Sequence, residues 1–300
     1  MKTRRDMARL SFCLFFLVAA LATTTILFAQ SASGNVMGEV LGSAISSPRV
    51  VNTIILSGDG AGDGEVSYNP GFATDPNCVA VYNFEPGALT EDSKSNNTLC
   101  NINGVSSETV DYKQGAGSAD FERDLSQRFS IANELLHDDF ILKKGGANKS
   151  FSICFWLKIE SLTNPTPMIE KVGSFRIRNY NVSKPLRLMV YNSTGNDNIT
   201  HGTNLATGTW YHAGVTFDGN NGPNFAYRIR IWDDNAGAIL GVDKVGTITR
   251  EIQTSASAFR IGNDGGTQEY DGLMDEVAIF NDILTPDEID AIRKGTYAGP

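Results

Sequence analysis

Only three of the 300 residues are histidine and four are cysteine, and 25 basic side chains face 34 acidic ones, for a net charge of −9. Each scarcity removes a class of function. The acidic balance argues against a nucleic-acid groove, which needs clustered Lys and Arg to neutralise phosphates. No Cys-x-x-Cys pair occurs, so neither a zinc ribbon nor a thioredoxin-like redox site is supported. No serine sits in a Gly-x-Ser-x-Gly turn, which leaves a hydrolase triad without its nucleophile. Helix signals are nearly missing as well: one stretch, close to the C-terminus, has both a start and a stop.

The first thirty residues stand apart from the rest. Lys2, Arg4, Arg5 and Arg9 precede an apolar run from Leu10 to Ala29, followed by small, polar Gln30-Ser31-Ala32-Ser33. A positive end, an apolar centre and a small-residue exit read as a secretory signal peptide over residues 1–31, cut near Ala29 and Ser31. The run is also about long enough to cross a bilayer as an uncleaved anchor. The expected location is therefore secreted or cell-surface, with membrane contact only if the segment is retained. Its removal takes four positive charges and one negative and leaves −12.

Export changes the reading of the cysteines. Cys13 leaves with the signal, and the remaining three, Cys78, Cys100 and Cys154, allow at most one internal pair. A Cys78–Cys100 bridge would stabilise by about 3 kcal/mol on chain-entropy grounds; the alternative is that none forms. Cys154 lies inside the apolar run Phe151-Ser-Ile-Cys-Phe-Trp156 and reads as a buried, inert thiol.

Residues 32–77 read as a Gly-rich linker with one β-like run, Arg49–Leu56. Asp59, Asp63 and Glu65 lie in its glycine repeat without the spacing of an EF-hand loop. From Cys78 onward, short runs rich in β-branched and aromatic residues alternate with turn residues. In Thr209–Asp218, Tyr211, Ala213, Val215 and Phe217 share one face. In Tyr227–Asp233, Ile229 and Ile231 alternate with Arg228 and Arg230. A period of two is the mark of antiparallel sheets packed on one another. Thr285 caps the one helix, Pro286, Asp287 and Glu288 suit its first turn, and Gly295 ends it. The predicted fold is all-β: an antiparallel two-sheet sandwich of jelly-roll type with one short C-terminal helix.

Taken in order, several segments resemble the laminin-G-like members of the concanavalin-A-like lectin/glucanase superfamily, over residues 78–297. They are Val79-Ala-Val-Tyr-Asn-Phe-Glu85, the loop Thr90–Asn97, Gly117–Glu122, Phe151–Lys158, Gly208–Asp218, Phe259–Gly262, Tyr270–Phe280 and the helix Leu284–Ile289. The loop has Ser95 where the family has glycine, and Trp232-Asp-Asp-Asn-Ala-Gly237 is longer than the usual turn. The resemblance implies a glycan or an extracellular protein as partner and a structural Ca²⁺ as cofactor. Asp92 and Asp275 are its first candidate ligands, with Glu85 and Asn97 behind them. The competing reading is that Asp92 and Asn97 only make side-chain turns.

The superfamily contains glycosidases, whose retaining members need two carboxyl groups about 5 Å apart in one cleft. The nearest match, Glu288-Ile-Asp290, falls on the predicted helix, where residues two apart diverge. No catalytic residue is expected. His212 belongs to a strand and reads as structural. For a ligand, Trp232 shares a face with charged Arg228 and Arg230, and Tyr180 and Tyr191 end strands beside Asn-rich loops (Asn179, Asn181, Asn192, Asn196, Asn198). Trp156 and Trp210 read as core. Asn-x-Ser/Thr sequons at Asn96, Asn148, Asn181, Asn192 and Asn198 matter only in a host that glycosylates secreted chains. The expectation is a non-catalytic binding module for a carbohydrate or extracellular protein. An adhesive surface protein is the alternative, and a glycoside hydrolase of the same fold the third reading.

Overall fold

The computed structural model describes residues 70–161, 166–180, 185–264 and 269–300. The segment read as a signal peptide and the linker up to residue 69 lie outside the described residues. The last part of that linker is not linker: Pro70–Thr74 is a helical turn (α1) whose Phe72 is buried against Phe280 and Tyr297.

Two antiparallel sheets follow. The first contains β1 (Cys78–Tyr82), β3 (Ser106–Glu108), β4 (Ser118–Phe121), β6 (Phe151–Ile159), β11 (Trp210–Phe217), β12 (Phe225–Asp233), β13 (Ala238–Ile239), β14 (Lys244–Ile248) and β16 (Gly272–Phe280). Its order is β13-β12-β11-β6-β16-β4-β3, with β1 also on β16 and β14 on β12. The second contains β2 (Cys100–Ile102), β5 (Arg128–Ile131), β7 (Pro167–Lys171), β8 (Phe175–Asn179), β9 (Pro185–Asn192), β10 (Gly195–Asn204) and β15 (Phe259–Gly262), in the order β10-β9-β8-β7-β15-β5-β2. The expected jelly-roll sandwich is present.

The period of two decides which side chains lie between the sheets. Phe151, Ile153, Phe155, Tyr211, Val215, Phe217, Ile229 and Ile231 face Phe129, Ile169, Phe175, Ile177, Leu188, Phe259 and Ile261 in one buried cluster. Phe151 stacks on Phe175 across the gap, with ring centroids 4.7 Å apart. Each large side chain fully buried here contributes about 1.5–3 kcal/mol. The C-terminal helix α2 (Pro286–Arg293) covers part of the first sheet's other side. Its start is a complete capping box, Thr285 and Glu288 satisfying each other's backbone N–H groups. Ile289 and Ile292 bury against Cys154, Ala278 and Phe280.

Two expectations fail. Cys78 and Cys100 are not joined by a disulfide. Cys78 opens β1 in the first sheet and Cys100 opens β2 in the second, so the two belong to opposite layers of the sandwich. The Asn-rich stretch after Tyr191 is not a loop. It is β10, the edge strand of the second sheet, registered residue for residue against β9 from Asn192↔Gly195 to Arg187↔Thr200. Its polar sequence hid it, because an edge strand with both faces largely in water needs no apolar alternation.

The docking of α2 depends on Gly214. A Cβ there would stand 2.5 Å from Cγ2 of Ile289. Gly214→Ala is expected to lower stability by about 1–3 kcal/mol in urea unfolding. Ile289→Ala should cost less in that background than in the unaltered chain, because the two substitutions relieve one contact.

Candidate functional site

The outward faces of the two sheets differ in what covers them. On the first, Trp156, Trp210 and Leu273 form a separate small cluster, with Trp232 packed beside it. The segment 109–116 lies over this row as a strap. Asp111 accepts from Trp210 Nε1 at 2.6 Å and from the Lys158 ammonium, which hold its carboxyl low against the opposing effect of burial. Lys113 sits 4.9 Å over the Trp156 ring and pairs with Asp234 at 2.8 Å. Trp232 is covered by its own protein: the Arg293 guanidinium stacks 3.6 Å from the ring centroid. It does lie on the face of Arg228 and Arg230, but it is not an open platform for a sugar. His212, opposite Trp232, is buried edge-on against Trp156. Burial, with Arg293 beside it, pulls its pKa down to about 3.

The residues expected to hold calcium fall into two groups. Asp92 accepts backbone N–H groups from Val81, Lys94, Asn96 and Asn97. Asn97 donates to Val79 O and accepts from His137 N. Both are spent on the loop itself. Glu85 and Asp275 belong to the other group, joined by Glu276. Asp275 accepts from the N–H groups of Lys113, Gln114 and Glu276, and Glu85 from that of Ala116, so these two carboxylates tie down the strap. Gly115 is required between them, since a Cβ would sit 1.5 Å from Glu85 Oε1. Burial pushes the Asp275 carboxyl well up, against its three N–H donors, and Glu85 adds repulsion. Glu276 is raised by burial, then by Asp275 and Glu85. Among the described residues no group of three or more His, Cys, Asp or Glu side chains is arranged to hold a metal ion. The four-residue calcium set does not fit.

The nearest catalytic motif is also occupied. Glu288 caps its helix, and Asp290 takes the Arg230 guanidinium on both oxygens, at 2.7 and 3.2 Å. Cys154 is fully buried, and burial raises its thiol far above the ordinary value.

The second sheet's outward face is uncovered by any helix among the described residues. Arg176 and Arg178 of β8 and Arg187, Met189 and Tyr191 of β9 point away from the core strand for strand, while Phe175, Ile177, Leu186, Leu188 and Val190 point in. Tyr180, just beyond β8, lies under the Arg187 guanidinium at 3.2 Å. The structure thus brings Tyr180 and Tyr191 to one face and leaves Trp232 on the other. Glu170, 2% exposed, is gripped by Arg176 at 2.7 Å and Arg260 at 3.3 Å. The arginines escaped sequence reading because a charged alternate position is the ordinary outside of a strand; only the register of β8 against β9, which sets Arg178 opposite Arg187, shows that they converge. A depression of about 370 Å³ between Lys144, Lys149, Asn192 and Glu251 is open and lined almost wholly by polar side chains.

A laminin-G family profile, described as the concanavalin A-like lectin/glucanases superfamily, matches residues 137–290. No curated protein matches the chain. Among solved structures, domain 4 of AbnA, a GH43 extracellular arabinanase from Geobacillus stearothermophilus, in complex with arabinotriose, is 20% identical with a TM-score of 0.51. The match covers 72% of this chain and 98% of that one. The binding domain of botulinum neurotoxin DC, solved with SialylT and with rat synaptotagmin II, has a TM-score of 0.53 at 13% and 12% identity. It covers 73% of this chain, which spans about half the length of those domains. These likenesses are of fold.

Three groups in or beside the core give stability opposite pH limbs. His212, depressed in the folded state, contributes above its ordinary pKa of about 6.5, and that contribution is lost as pH falls towards 3. Asp275 and Glu276, raised in the folded state, contribute below the ordinary carboxylate range near 4 and lose it as pH rises. Urea unfolding across pH should show a maximum between the limbs. His212→Gln flattens the acid limb by about 2 kcal/mol, and Glu276→Gln flattens the alkaline one. A melting temperature that drops with a chelator would instead put a cation among the carboxylates.

Proposed function

Because the chain belongs to the laminin-G-like branch of the concanavalin A-like lectin/glucanase superfamily, we propose that it is an exported, non-catalytic module that binds a glycan on the outward face of its second sheet. One observation carries the reading: among the described residues no helix lies on this face, and aromatic rings stand beside amides on it. Tyr180 and Tyr191 are half-buried, and Asn196 and Asn198 of β10 lie opposite Tyr191 and Met189. Aromatic rings beside planar amides are what a sugar site uses, the ring covering the apolar face of the pyranose and the amide reading its hydroxyls.

The first sheet offers no such surface, since the strap 109–116 and α2 cover its aromatic row. The signal-like N-terminus supports export. The occupied state of Glu288 and Asp290 supports binding without hydrolysis. That one solved structure of this fold is in complex with arabinotriose and another with SialylT agrees with a glycan ligand.

A glycan array probed with the full chain tests the proposal. Selective binding is expected, reduced at least about tenfold (~1.4 kcal/mol) by Tyr191→Ala and unchanged by Trp232→Ala. A blank array, or polysaccharide hydrolysis that Glu288→Gln abolishes, would overturn it.

A further inference from the structure

The face just described carries more positive charge than it neutralises. On β8, β9 and β15 four guanidinium groups, Arg176, Arg178, Arg187 and Arg260, point out of it, against the carboxylates of Glu170 and Asp264. Both carboxylates are at the Arg176 and Arg260 end. At the other end Arg187 finds only neutral partners, Thr200 Oγ1 at 2.9 Å, Asn198 Oδ1 at 3.3 Å and the Tyr180 ring.

Arg178 is the outlier. Its Nε is buried and has no hydrogen-bond partner, and no ion pair is made by its guanidinium among the described residues. It stands directly across from Arg187 and two residues from Arg176 on the same face. Burial and these two neighbouring cations pull its pKa below the usual arginine range. The three short internal stretches outside the described residues, 162–165, 181–184 and 265–268, contain no Asp or Glu that could supply a counter-ion. A guanidinium carries five donors in a planar fork, and leaving the buried Nε–H unmade beside two like charges is costly unless an anion arrives to take it.

We propose that the glycan bound on this face is acidic, and that Arg178 and Arg187 together hold its carboxylate or sulfate group. The inference rests on the glycan-binding reading and narrows it. A carboxylate or sulfate presents oxygens at the spacing of the guanidinium fork, which gives a charge-assisted, two-point contact. Tyr191, half-buried beside the pair, supplies apolar surface for the sugar ring. The local charge is opposite to that of the chain as a whole, which is −9. A polyanion is therefore drawn to this patch and repelled elsewhere, so selection falls on the patch and not on general basicity.

The test uses the full chain with three immobilised probes: oligogalacturonate for carboxylate, dextran sulfate for sulfate, and neutral dextran. Binding to one or both acidic probes is expected, weakening with salt, and falling at least about tenfold in Arg178→Gln and in Arg187→Gln. Arg178→Lys should recover only part of it, because an ammonium lacks the fork. Since Arg178 makes no ion pair among the described residues, Arg178→Gln should melt at the same temperature or higher, which separates lost binding from lost folding. Neutral-probe binding that Arg178→Gln leaves intact would overturn the acidic ligand and spare the glycan reading. Absence of binding to any glycan would overturn both. Equal capture by polyglutamate, sensitive to the same substitution, would show an acidic protein segment as the partner and overturn the saccharide.

Discussion

Along one edge of β16 the sheet changes partner, from β4 at Gly272–Met274 to β1 at Val277–Phe280, and the residues at the change are Asp275 and Glu276. The other edge, against β6, keeps Asp275 opposite Trp156 and then shifts register, so that a bulge falls at Glu276 and Val277. Glu276 takes a left-handed conformation, φ 49°, to make that bulge, which costs a β-region side chain of this kind of order 1 kcal/mol. Asp275, the last residue in register before the bulge, shares the outward face with Leu273, where its carboxylate collects three N–H groups and fixes the strap. The strap buries Trp156 and Trp210; α2 and Arg293 close over what remains. One carboxylate, set where the strand changes partner, thus fastens the cover over the outward face of the first sheet.

The alternation in β11 and β12 was plain in the sequence, and the structure follows it pair by pair, Tyr211↔Asp233 through Phe217↔Tyr227. The helix was equally legible, because capping is a local matter decided within four residues. What stayed hidden was decided between distant ones. Trp156 and Trp210 are buried as expected, but beneath a strap whose sequence has no periodicity, and outside the inter-sheet core. Ser95 shows the same limit from another side. It lacks the freedom of the family's glycine yet adopts φ 66°, held there because Asp92 accepts the N–H groups on either side of it. The loop keeps its shape by a carboxylate in place of a glycine, and that use of Asp92 is what removes it from any metal site.

For the ligand face the sequence supplied members without their arrangement. Tyr180 and Tyr191 could be named from strand ends, yet the Arg178–Arg187 pair follows only from the register of β8 against β9. A shift of one residue would send Arg187 into the core and Leu186 or Leu188 out. The buried faces of those strands therefore protect the charge pattern on the exposed ones: the apolar contacts that hold the sandwich together also hold the arginines in line.

The two ends of the described unit lie side by side. Phe72 of α1 packs on Tyr297, whose hydroxyl bonds Asp75, and Gly71 lies against the backbone of residues 297–299. A pull between these ends would load that small aromatic clasp first, peeling it open before any tension reached the ladder between strands. The sandwich would then hang from a single point beside β1 and β16, its fold mechanically shielded by a few ring contacts that have no part in binding.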